Sequence, residues 1–136
     1  MKQSDITPKI IELSKQIAEY WKMEIYEGCW VNISRDDTQK IVLATKVNCL
    51  GFYWRSPDMN DFRFFACPED FPIPSISDAL EKLRELDWCI EMTYICEPKI
   101  ELNYVKGGER FKQIKAEGNT LHEALLSALL EVLKND

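Results

Sequence analysis

Two short runs, Phe52-Tyr53-Trp54-Arg55 and Phe62-Arg63-Phe64, bring aromatic and guanidinium side chains close together in the chain. Aromatic faces stack on bases and an arginine fork binds a phosphate bidentately, so the combination suits a nucleotide-like ligand. On two successive strands, Tyr53, Trp54, Arg55 and Arg63 would form one wall of a pocket, with Arg110 a weaker member of the same site. The plainer alternative is that the aromatics fill a core and the arginines decorate its edge. His122 is the only histidine. It falls in the first turn of a helix, whose positive end disfavours the imidazolium. Paired with a thiol it would serve a small hydrolase, but no spacing ties it to a cysteine, and it reads as a surface residue at a helix start. One histidine and no Cys-x-x-Cys argue against structural zinc. The acidic pairs Asp36-Asp37, Asp58-x-x-Asp61 and Glu69-Asp70 fall in expected loops, where neighbouring carboxylates diverge, whereas acid/base or two-metal chemistry needs them to converge. No catalytic residue, metal ligand or cofactor is assigned.

The elements that position these residues are read from periodicity and caps. Thr7-Pro8 opens a helix whose apolar set, Ile10 to Trp21, keeps helical spacing to about Met23. Cys29 to Ile33 reads as a strand that turns at Arg35-Asp36-Asp37-Thr38. The stretch from Lys40 to Arg55 is too long for one strand, and Gly51 suggests a break or bulge. A short strand follows at Phe62 to Ala66, and Pro68, Pro72 and Pro74 hold an extended connector. Ser75-x-x-Asp78 opens a second helix to about Leu86. At Trp88 the period becomes 2, and three strands form a meander closed by turns at Glu97-Pro98 and Gly107-Gly108. Thr120-x-x-Glu123 caps a last helix that is apolar over most of its circumference, with a polar ridge at Glu123, Ser127, Glu131 and Lys134. Such a helix must be covered on more than one side, by the sheet and by another helix or a partner subunit; self-association is therefore expected.

The length suits one domain, residues 1–136, with a core large enough to dispense with metals and disulfides. The expected fold is α+β: a largely antiparallel sheet of about five to six strands with three helices, layered as an α-β-α sandwich. Net charge is −6, from 23 acidic and 17 basic residues. That balance disfavours generic nucleic-acid coating and anionic membranes unless basic residues cluster in space. No secretory or membrane-spanning run is present, so a cytoplasmic location is expected. The five cysteines read as reduced and mostly buried.

The run FPIPSISDALEKLRELDWCIEM, the meander and AEGNTLHEALLSALLEVL together resemble the phage α-β-α (ABA) sandwich domain, a family of small phage and prophage proteins of unassigned function. The resemblance covers the second half of the chain. It implies a three-layer fold and a phage setting, in which the cytoplasm is the host's, and it carries over no site residues. The closing strand, Gly-x-Thr turn and alanine-rich helix also resemble HicB-type antitoxins, although there three strands precede the first helix. The first functional expectation is a non-catalytic binding protein that sequesters a small nucleotide-like signal, a counter-defence sponge. The alternative is a protein-interaction module, either an antitoxin or an inhibitor of a host factor.

Overall fold

A computed structural model describes residues 2–35, 38–55, 60–65, 69–94, 98–106 and 109–135; the side chains at 35, 60, 92–94, 98, 100, 102–106 and 109–112 lie outside that description. Asp36-Asp37, Asp58, Cys67, Cys96 and the turns expected at Glu97 and Gly107-Gly108 fall outside it too, as does the Arg110 side chain. Among the described residues there are three α-helices: α1 (Pro8–Ala18), α2 (Ile76–Glu85) and α3 (Leu121–Asn135). Eight strands accompany them among the described residues: β1 (Trp30–Arg35), β2 (Thr38–Val47), β3 (Gly51–Arg55), β4 (Asn60–Phe64), β5 (Phe71–Ile73), β6 (Trp88–Tyr94), β7 (Pro98–Lys106) and β8 (Glu109–Glu117). The fold is α+β, and every strand pair is antiparallel.

Each helix starts where its cap predicts. Thr7 Oγ1 accepts from Ile10 N at 3.2 Å, and Ser75 and Asp78 close a reciprocal capping box. Thr120 Oγ1 accepts from Glu123 N at 3.1 Å, but the Glu123 carboxylate takes the N–H of Asn119 at 3.1 Å and the hydroxyl of Thr7 at 3.0 Å. That one buried carboxylate therefore joins the N-termini of α1 and α3, instead of lying on a solvated ridge. From His122 to Leu130 only Ser127 is partly exposed, because α3 packs against α1, α2, β7 and β8. The covering that this helix demands comes from its own chain, and it asks for no partner subunit.

The strands divide between two sheets, one of five in the order β4-β3-β2-β1-β5 and one of three in the order β6-β7-β8. The smaller is the expected meander, turned toward α3 through Trp88, Ile90, Ile114 and Ala116. The larger sheet is apolar on both faces. Trp30 and Ile73, a cross-strand pair, face the helical core with Ile41. Val31, Ile33, Val42, Ala44, Phe52 and Trp54 form a second core on the opposite face.

Met23 and Ile25 cover that second core, which explains why α1 ends at Ala18 and not near Met23. From Trp21 to Tyr26 burial alternates residue by residue, the pattern of an extended chain, with Trp21, Met23 and Ile25 inward. The proline-bearing connector holds β5, an unexpected edge strand; Pro72 lacks an N–H, which an edge position tolerates and a central one does not. Among the described residues no helix is long and apolar enough to cross a membrane.

Candidate ligand-binding surface on the open face of the large sheet

The geometry of the site is set by one irregularity. The β2–β3 register runs Ala44↔Trp54 and then Lys46↔Tyr53, so Thr45 is an extra residue, a β-bulge. Its hydroxyl donates to the Tyr53 carbonyl at 3.1 Å. In an unbroken ladder Lys46 would share the core-facing side of Phe52; the bulge places it directly opposite Tyr53, on the other face. β4 continues the row, with Phe62 opposite Tyr53. Two residues along β3 from Tyr53, Arg55 shares its face, as Phe64 shares that of Phe62.

The result is an aromatic cluster bordered by two cations. Tyr53 and Phe62 have ring centroids 4.7 Å apart, and Phe62 and Phe64 meet edge to face at 5.0 Å. Phe64 is 58% exposed, and Lys46 and Arg55 are both exposed. Gly51 makes the close approach of β3 and β4 possible, since a Cβ there would lie 2.9 Å from Phe62 Cζ and collide with the Arg63 carbonyl. Asp61, the only carboxylate among the described residues of β2, β3 and β4, lies opposite Trp54 and therefore on the far face.

The structure thus separates the residues that sequence put on one pocket wall. Tyr53 and Arg55 lie on the open face. Trp54 is buried in the second core, its Nε1 without a hydrogen-bond partner among the described residues. Arg63 also lies on that side, opposite Phe52. Its Nε donates to Asp70 Oδ2 at 2.7 Å, while Nη2 donates to Asp70 Oδ1 at 3.1 Å and to the Ser34 carbonyl at 2.7 Å. This fork is engaged in joining β4 to β1 and to the segment before β5. Arg110 is on β8, in the other sheet, where Val105 is its register partner. Lys46 escaped sequence reasoning because nothing local marks Thr45 as a bulge; Phe62 and Phe64 were visible as aromatics, and only their face was not.

Polar chemistry is found elsewhere among the described residues as well. A groove of about 1250 Å³ runs beside the Trp21–Ile25 connector. Glu19, Glu24, Glu69 and Asp70 line it against Lys15 and Lys22, a balance that does not favour a phosphate.

His122 is buried, contrary to its surface reading, and its Nε2 lies 2.6 Å from the Pro74 carbonyl, so Nε2 carries the proton. Burial holds its pKa below the usual value, against the opposing pull of that carbonyl and of the Glu123, Asp5 and Asp78 carboxylates. Burial likewise raises Cys29 to about 11, which leaves it a protonated thiol at neutral pH. Of the other described cysteines, Cys49 and Cys89 are exposed, not buried as expected. Tyr26 donates to Asp78 Oδ2 at 2.6 Å and, by burial and that bond, titrates well above an ordinary phenol. Among the described residues no three His, Cys, Asp or Glu side chains gather as a metal site.

The chain matches no protein-family model, curated protein or solved structure among those compared.

Proposed function

We propose that this is a non-catalytic binding protein that recognises a nucleotide-like group on the open face of β2, β3 and β4. The observation that carries the reading is the bulge-directed alignment of Lys46, Tyr53 and Phe62, with Phe64 and Arg55 on the same face. Aromatic rings accept the π-face of a base, and the two cations accept its phosphate. A phage or prophage setting, with the host cytoplasm as location and a defence signal as one form of such a ligand, belongs to the same proposal and rests on the resemblance of the second half. Native mass spectrometry of gently purified protein, followed by denaturation to identify what is released, tests the reading. A nucleotide-type adduct that is lost in Tyr53→Ala/Arg55→Ala is expected, and an adduct indifferent to both substitutions refutes the site.

A second reading, the protein-interaction module, is favoured by Leu50 and Phe65. They are 62% and 44% exposed and are joined by a backbone hydrogen bond of 3.1 Å at the end of the β3–β4 hairpin. Apolar side chains grouped in this way suit a protein partner better than a phosphate-bearing one. Loss of a co-purifying protein in Leu50→Ser/Phe65→Ser, with nucleotide binding absent, would decide for it.

A further inference from the structure

We propose that the ligand of this face is an unpaired nucleic-acid strand, held through two successive nucleotides. The inference rests on the nucleotide-binding reading above and narrows it. A free mononucleotide binds well when a pocket surrounds most of its surface. Among the described residues this face has no such walls: Phe64 is 58% exposed, Lys46 and Arg55 reach solvent, and β4 is the edge of the sheet. A strand needs no enclosure, because it gathers affinity from several contacts laid side by side along an open surface.

The arrangement offers those contacts in pairs. Phe62 and Phe64 stand two residues apart on β4, about 7 Å along the strand. The rings themselves meet edge to face at 5.0 Å, so their π-faces point in different directions, and a strand that lays one base on each must splay two successive bases apart, as an unstacked single strand can. Tyr53 backs the Phe62 ring at 4.7 Å and stiffens the stacking surface. Lys46 stands across from Tyr53 on β2, and Arg55 stands two residues along β3, so the two cations border the aromatic row from different directions. Each can hold one phosphate, the guanidinium through its fork and the ammonium as a point charge.

A duplex fits less well. It hides the π-faces of its bases and presents phosphates to a chain whose net charge is −6, with two cations among the described residues of this face to oppose the repulsion. The acidic balance and the local basic pair are thus compatible: the chain does not coat nucleic acid, and one small cluster engages one exposed stretch of it.

Fluorescence anisotropy with end-labelled ten-nucleotide oligothymidylate and oligouridylate tests the proposal. The comparators are the same-length duplex and unlabelled thymidine and uridine monophosphates as competitors, each at several salt concentrations. Two phosphate contacts on a single strand give a slope of about −1.4 in log K against log salt. Lys46→Ala and Arg55→Ala should each bring that slope about 0.7 nearer zero. Phe64→Ala, at an exposed position, should weaken strand binding at least tenfold with an unchanged melting temperature. If the monophosphates bind as tightly as the oligonucleotides, the nucleotide-binding reading stands and the strand inference falls. Duplex affinity equal to that of the single strand overturns it as well, as does strand binding indifferent to Phe64→Ala. If neither oligonucleotide nor monophosphate binds, both readings fall together, and a protein occupant of the same aromatics is what remains.

Discussion

At the scale of single residues, neighbours in sequence have opposite duties. Trp54 is buried with Phe52, their rings 6.1 Å apart, while Tyr53 looks outward. Replacing Trp54 by alanine should cost about 3–5 kcal/mol through the cavity it leaves. Any ligand lost in that variant would then report unfolding. Trp54→Phe keeps most of the volume and removes an indole N–H with no described partner, so it should cost below about 1.5 kcal/mol in urea denaturation and leave ligand binding intact. His122 offers a separate test because it is the only histidine. Its folded pKa lies below its unfolded one, so in the titration window the unfolded chain holds more protons. Stability is therefore complete above the unfolded value of about 6.5 and falls as pH drops below it, by at most about 1.4 kcal/mol per unit. Denaturant midpoints measured from pH 7.5 to 5.5 should show this decline, and His122→Gln should flatten it; an unchanged slope would assign the pH dependence to carboxylates.

At the scale of elements, one ion pair does what the sheet alone cannot. Among the described residues β4 is an edge strand paired with β3 alone, and Arg63 ties it through Asp70 and the Ser34 carbonyl to the opposite side of the sheet. The Asp70 side chain is 6% exposed, so Arg63→Ala would strand a buried carboxylate and should destabilise by about 3 kcal/mol. In a double-mutant cycle with Asp70→Ala, coupling of about 1–3 kcal/mol is expected; a coupling near zero would return Arg63 to the surface role that its sequence suggested. Much at this scale is legible from neighbours in the chain. The three caps at Thr7, Ser75 and Thr120 mark helix starts because a cap is a contact over three residues. The change to period 2 at Trp88 marks β6 for the same reason of range. The Thr45 bulge and the three-residue β5 are not legible, since each exists only by virtue of the strand it pairs with.

At the scale of the whole molecule, oligomeric state follows from which surfaces are already covered. α3, the apolar helix that suggested self-association, is enclosed by α1, α2 and the meander of the same chain. Light scattering at micromolar concentration should therefore give a 15.9 kDa monomer. A dimer dissolved by Leu50→Ser/Phe65→Ser would instead place an interface on the β3–β4 hairpin. The sequence by itself determined an α+β chain with three capped helices, a meander and an antiparallel sheet, because caps, turns and apolar periods are short-range properties written in adjacent residues. It also determined that aromatics and cations occur together between Phe52 and Phe64. Only the tertiary structure decided that eight strands divide into two sheets, that His122 and Glu123 are buried, and that Lys46, Tyr53, Arg55, Phe62 and Phe64 share a face from which Trp54 and Arg63 are turned away. The reason is physical: a side chain's face depends on register, and one extra residue paired across the sheet reverses it.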